Sequence, residues 1–425
     1  MPKKKEKIDS AEITKETLPS IVEEVINTTP ITDIHTHLFA PAFTSLLLWG
    51  IDELLTYHYL IAEFFRTTDM PYSQFWALSK KEQANLIWQN LFIERTPISE
   101  ACRGVVTVLE KLGLDVSSRD LNAYREWFQA QNIAEHIDRV FRIANLKQVV
   151  MTNDPFDPTE RDYWHSSLEL DTRFLTSLRL DTLMLKWTES VPMLQAWGYS
   201  VEPNLTEDTL SEVRRFLSDW VQKIKPVYVA VSLPPTFEFP EHSSRAIILE
   251  HCILPVARYF NIPVALMIGV TRGVNPELKL AGDGVGRAEL RPVERLCEMF
   301  PQNKFMVTFL SRENVHSSAV SARKFRNLMP FGCWWFLNNP SLIEEITSMR
   351  IELLGTTFIP QHSDARVLEQ VIYKWEHTKQ VLQKVLTEQY SRLLDAGWNL
   401  TRESIEKDIS SLLDKNFGRF LELKL

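Results

Sequence analysis

The sequence predicts an α/β fold, a closed (β/α)8 TIM-like barrel with a helical insertion after strand 1 and helices at the C-terminus. Eight short apolar runs recur along the chain, separated by polar or Pro- and Gly-containing turns and by helical stretches. The runs are continuously apolar rather than alternating, which suits strands covered on both faces, as in a parallel sheet wrapped by helices. Polar residues collect where the first and last runs end, and in a barrel the chemistry sits at that C-terminal mouth.

Taken in order, Ile21, Val22, Val25 and Ile26 stand at helical spacing before a stop at Pro30. The first strand run is Ile31 to Leu38, so residues 1–40 are read as an N-terminal helix and barrel strand 1. Residues 41–147 read as a helical insertion rich in Leu, Trp and Phe, punctuated by Pro71 and Pro97. The remaining runs are Gln148 to Thr152, Phe174 to Leu180, Val227 to Leu233, Pro263 to Val270, Lys304 to Leu310, Leu328 to Trp335 and Thr356 to Gln361. They place the rest of the barrel in 148–364. Residues 365–425 read as two or more amphipathic helices broken near Gly397.

Composition narrows the function. The chain has 425 residues, 44% of them hydrophobic and 24% charged, enough for a large core and unlike a disordered chain. A net charge of -8 argues against nucleic-acid binding, which needs clustered positive charge, and favours a small-molecule ligand. Cys102, Cys252, Cys297 and Cys333 form no CxxC pair and fit reduced thiols of a cytoplasmic protein. The start, with Lys3, Lys4, Lys5 and Lys7, is basic but lacks the apolar stretch of a secretory signal, and no run is long enough to span a bilayer. The exposed insertion leads us to expect a homo-oligomer of unspecified number.

His35 and His37 lie two apart near the end of the first run, so both imidazoles point to one side of the backbone. On the pair alone, a metal site and two ordinarily hydrogen-bonded histidines weigh equally. Asp33, His35, Thr36 and His37 together tip the balance, because four polar groups in an apolar strand are costly without partners. The last run ends in Gln361, His362, Ser363 and Asp364. In a closed barrel that end neighbours strand 1, so Asp364 either joins the histidines around a metal or caps the following helix.

Other candidates carry weaker signals. Tyr57, His58 and Tyr59 could transfer protons or could simply pack within a helix. Arg179 and Arg366, at strand ends, could grip a carboxylate or pair with a local acid such as Asp181. Of Trp334 and Trp335, one can wall the mouth; core packing suits Trp334 better. Gly282-Asp283-Gly284-Val285-Gly286 reads as a flexible loop, and Ser311-Arg312-Glu313-Asn314 as pocket lining or surface salt bridging. The role of His362 stays open.

Asp33-Ile34-His35-Thr36-His37-Leu38-Phe39, Leu55-Thr56-Tyr57-His58-Tyr59, Ser177-Leu178-Arg179-Leu180-Asp181, Cys333-Trp334-Trp335-Phe336 and Gln361-His362-Ser363-Asp364-Ala365-Arg366, in this order, resemble the uronate (glucuronate) isomerases of the amidohydrolase superfamily. The likeness runs through nearly the whole chain. It implies one divalent metal, zinc first and manganese next, held by His35, His37 and Asp364. It implies isomerisation of D-glucuronate to D-fructuronate, and of D-galacturonate to D-tagaturonate, through a cis-enediol. Asp364 would then serve C2 proton transfer, Tyr59 would pass a proton between the C1 and C2 oxygens, and His58 and Arg366 would stabilise the enediol. Arg179 would bind the substrate and Trp335 would shape the pocket. The fifth and sixth runs lack a terminal His or Lys, which fits this branch better than a two-metal hydrolase. A mononuclear amidohydrolase acting on a lactone, ester or amide is the alternative, and a non-catalytic sugar-binding barrel a further one.

Overall fold

The computed structural model describes residues 13–166 and 169–425, so the lysine-rich start lies outside the described residues. Seven parallel strands form the sheet: β1 Ile31–Asp33, β2 Leu146–Asn153, β3 Phe174–Arg179, β4 Val229–Leu233, β5 Val264–Ile268, β6 Phe305–Phe309 and β7 Leu328–Pro330. They pair in chain order, each with the next. Every step is parallel, and a helical connection carries the chain back outside the sheet.

The eighth run is a correction to the sequence reading, because residues 356–361 form no ladder. They close the ring by single contacts instead: Phe331 bridges Ile359, the Asp364 N–H donates to the His35 carbonyl at 3.1 Å, and the His37 N–H donates to Ala365 at 2.8 Å. Pro360 has no N–H to give, and Asp364 takes a left-handed φ of +53°, so a regular strand cannot continue. The first and seventh strands are likewise shorter than read. Beyond Asp33 the chain bends toward the mouth, and after Pro330 a left-handed Gly332 turns it away.

Burial on both faces explains the continuous apolar runs. Val150, Ala230, Ala265, Met267 and Met306 fill the barrel interior, while their neighbours Val149, Val231, Val264, Leu266 and Val307 pack outward in a second core. That outer core is continuous with the helices between Pro41 and Ala144, including Glu100–Lys111 and Ile133–Ala144. The C-terminal part holds helices Gln370–Asp395, Arg402–Ser410 and Asn416–Glu422, with a left-handed Gly397 between the first two. No described helix is long and apolar enough to cross a membrane.

The last helix closes the end of the barrel opposite the mouth. Phe417 and Phe420 join the interior cluster, and the Asn416 amide donates to the carbonyls of Thr356 (2.6 Å) and Phe358 (2.8 Å). Lys304, just before β6, donates to the Leu421 carbonyl.

Gly332 is required by both conformation and space. Its φ is +65°, and a Cβ there would lie 2.0 Å from His362 Nδ1. Gly332→Ala is expected to cost about 2–4 kcal/mol in denaturant unfolding. A loss below about 0.5 kcal/mol, the level of an ordinary surface substitution, would show that the His362 ring can move aside.

Candidate active site

A cavity of about 200 Å³ opens at the C-terminal ends of the strands. His35, His37, His58, Arg179, Asp181, Arg272, Trp334, Trp335, Asp364 and Arg366 are among the residues around it. His37 Nε2 lies 3.3 Å and His35 Nε2 3.6 Å from Asp364 Oδ1. Among the described residues this is the one group of three His, Cys, Asp or Glu side chains close enough to share an ion.

The surroundings prepare the three for a cation. The Tyr228 hydroxyl donates to the Ile34 carbonyl at 2.8 Å and lies 3.0 Å from His35 Nδ1. With its own proton committed, that hydroxyl accepts from Nδ1–H, so the His35 proton sits on Nδ1 and Nε2 keeps its lone pair facing Asp364. Burial pushes His35 down to about 3, against the pull of Asp364, and burial with Arg366 and Arg179 holds His37 well below the ordinary imidazole range. Both rings are therefore neutral at neutral pH, as metal ligands must be. Asp364 Oδ1 is buried with no hydrogen-bond donor. Two neutral imidazoles and a carboxylate oxygen with no other employment suit a divalent ion such as zinc or manganese. Tyr228→Phe is expected to weaken metal affinity roughly 10- to 100-fold, measured by competition with a chromophoric chelator. An unchanged affinity would remove Tyr228 from the site.

Asp33 ties the two ends of the barrel together beneath these ligands. One carboxylate oxygen accepts the Ser363 N–H at 3.0 Å and the other accepts Trp375 Nε1–H at 2.9 Å. Burial raises this carboxyl to about 6 even though these hydrogen bonds favour the charged form. Asp364 and Trp335 both take left-handed backbone, at +53° and +47°, a strain that non-glycine residues carry mainly where surrounding contacts impose it.

The remaining candidates divide by position. His58 opens helix His58–Phe65, lines the cavity and keeps Nε2 buried without a partner. Burial, then Arg366 and Lys374, holds it neutral. Arg179 donates to Asp181 at 2.6 Å, and Asp181 also accepts the Ser232 N–H, so the local-acid pairing and the cavity position both hold. Arg366 lines the cavity, and its backbone N–H donates to Gln370 Oε1. Trp335 walls the cavity with an unpartnered indole N–H, and Trp334 both packs in the interior and lines the cavity.

Tyr59 is not among the residues lining this cavity. Its ring meets His58 edge to face, centroids 4.6 Å apart, and stacks on Phe336. Burial holds its hydroxyl protonated, well above the ordinary phenol range. His362 is fully buried between His35 and Phe331, with both nitrogens unpartnered. Arg312 is a surface residue paired with Glu345, and Asn314 holds Ala288, so that cluster belongs to the fold rather than the cavity. The 282–286 stretch, read as a flexible loop, instead contains Gly284–Val285, the return strand of a short antiparallel hairpin. Arg272, in the turn just past the opposite strand Val270–Thr271 of that hairpin, was missed. The one available signal was an arginine just past the end of the fifth run.

Nearly the whole chain matches solved structures. An uronate isomerase from Bacillus halodurans C-125 superposes with a TM-score of 0.95 at 54% identity, over 96% of this chain and 97% of that one. The chain belongs to the uronate isomerase family. An uronate isomerase from Thermotoga maritima (TM-score 0.77, 15% identity, 98% of this chain and 100% of that one) shares the fold. So does a glucuronate isomerase from Caulobacter crescentus (TM-score 0.74, 13% identity, 99% and 98%). No protein-family model and no curated protein matches the chain. For an uronate isomerase family member, a mouth with three arginines around one candidate metal triad is chemically apt, since a sugar acid brings a carboxylate and several hydroxyls to it.

Proposed function

We propose that this protein interconverts hexuronates and their 2-keto isomers, D-glucuronate with D-fructuronate and D-galacturonate with D-tagaturonate, using one divalent ion, zinc in the first place. The observation that carries this reading is the convergence of His35, His37 and Asp364 in an arginine-lined cavity of a chain 54% identical to an uronate isomerase. When bound, the ion supplies Lewis acidity and fixed geometry to substrate oxygens.

The chain's own groups do the rest. Asp364 takes the proton from C2, leaving a cis-enediol, and delivers it to C1, while its Oδ1 is the oxygen that faces the two histidines. Arg366 and the neutral His58 donate to its developing oxygen charge. Tyr59, beside His58 and still protonated at neutral pH, passes a proton between the C1 and C2 oxygens. Arg179, held by Asp181, binds the substrate, and Trp335 walls the site. A cytoplasmic homo-oligomer completes this reading.

The test is proton NMR of metal-analysed protein with glucuronate and galacturonate in heavy water. Ketose formation with deuterium at C1 is the expected result. No ketose from either sugar, or a hydrolysed product of changed mass, sinks the assignment.

A further inference from the structure

Helix Gln370–Asp395 starts just after the segment that closes the barrel, and its residues 370–375 are all buried. Gln370 Oε1 accepts the backbone N–H groups of Arg366 and Val367, and Trp375 Nε1–H donates to Asp33. Between them Tyr373 presses on helix Glu100–Lys111, where a Cβ at Gly104 would lie 2.7 Å from its ring. A glycine inside a helix weakens it relative to alanine, so the close approach of Tyr373 is what this position serves.

Lys374 stands among these residues and is only 4% exposed. Its ammonium faces two phenol rings, 5.1 Å from the centre of Tyr373 and 5.6 Å from that of Tyr59, both within cation–π reach. Among the described residues it has no ion-pair partner. The two carboxylates whose charge favours its protonation are committed elsewhere, Glu100 to His377 at 2.6 Å and Asp364 to the two metal-site histidines. His58 and His362 also feel its charge, and both are held neutral. Burial pushes Lys374 down to about 8, so at neutral pH it still carries its proton. A buried cation without a carboxylate is costly, and an apolar side chain of like size would serve packing better unless a neighbour gains from the charge. The neighbour placed to gain is Tyr59, whose ring also packs on His58.

We infer that Lys374 is a positioning residue for Tyr59: its ammonium holds the ring in place and stabilises the hydroxyl while the proton is in transit. The inference rests on the isomerase reading and on Tyr59 as the proton carrier within it. In that step the Tyr59 proton goes to the C1 oxygen as the proton on the C2 oxygen goes to Tyr59 Oη, so the phenol ends as it began. Partway through, the phenol oxygen bears part of a negative charge in a place where burial disfavours it. A fixed positive charge against the ring offsets that penalty. Lys374 is not among the residues lining the cavity, so it works through the tyrosine rather than on the sugar.

The test is a double-mutant cycle of Lys374→Met and Tyr59→Phe on glucuronate, with metal content and Tm recorded and Lys374→Arg alongside. Lys374→Met is expected to lower kcat roughly 10- to 100-fold while KM stays within about threefold of wild type. Metal content and Tm should hold, since an apolar chain of like size suits the buried place at least as well. Added to Tyr59→Phe, the same change should cost no more than about threefold, because the group it serves is already gone. Lys374→Arg stays charged at every working pH. It should recover part of kcat and move to higher pH the decline in rate that follows loss of the Lys374 proton above about pH 8. This profile decides the matter by itself if Lys374→Met does not fold. A kcat for Lys374→Met within about threefold of wild type overturns the inference. So does a further loss beyond about threefold in the double variant, which marks a charge acting elsewhere than on Tyr59. A decline in rate that keeps its place in Lys374→Arg overturns it too. Tyr59→Phe at the wild-type rate would remove Tyr59 from the chemistry and the inference with it, whereas wild-type protein inactive on both uronates would sink the isomerase reading.

Discussion

Asp364→Asn is expected to lower turnover of glucuronate by roughly three to four orders of magnitude while leaving the fold intact. The exchange keeps the size of the side chain and the backbone bond from Asp364 N–H to His35. It adds no strain at φ +53°, because Asn tolerates left-handed backbone at least as well as Asp. What it removes is the anionic oxygen 3.3 Å from His37 Nε2 and 3.6 Å from His35 Nε2. An amide oxygen is a poor ligand for a divalent ion and cannot take a proton from carbon. Turnover by proton NMR and a thermal melt on the same sample decide the matter. Activity within tenfold of wild type in a folded variant would take Asp364 out of the chemistry.

The His35→Ala, His37→Ala double variant is expected to lose the ion altogether. Elemental analysis should drop from about one equivalent of metal per chain to background, because a lone carboxylate does not retain a divalent ion through dialysis. Stability gives a second readout. Zinc at a hundred times its Kd should stabilise the wild-type chain by ~2.7 kcal/mol, and the double variant should gain nothing from the same addition. Equal stabilisation of both proteins by zinc would put the ion elsewhere.

The candidate triad was legible in the sequence for a topological reason. A barrel brings its last strand beside its first, so a histidine pair on one and a carboxylate on the other identify each other across the chain. Exact strand limits were not legible at three places. Leu328 to Trp335 reads as one apolar run, yet Gly332 and Trp335 adopt positive φ, and that is imposed by packing around His362 and the cavity. The Tyr59 ring could not be placed either. Its spacing puts it on a helix, but only the fold decides that its ring packs against His58 and Phe336. Arg272 escaped notice because two-residue strands are too short to leave a periodic pattern.

The amphipathic tail shows the same limit, since its pattern announces a helix but not the surface that receives it. That surface is the floor of the barrel, where Phe417 and Phe420 complete the interior. The order of synthesis then matters. A nascent chain can display His35 and His37 early, but Ser363 is 330 residues from its Asp33 partner, and the floor is supplied later still. Until helix Asn416–Glu422 is made, the inner side chains lack the cover that Phe417 and Phe420 provide. A chain lacking helix Asn416–Glu422 would therefore carry every candidate ligand above a barrel interior that Phe417 and Phe420 no longer complete.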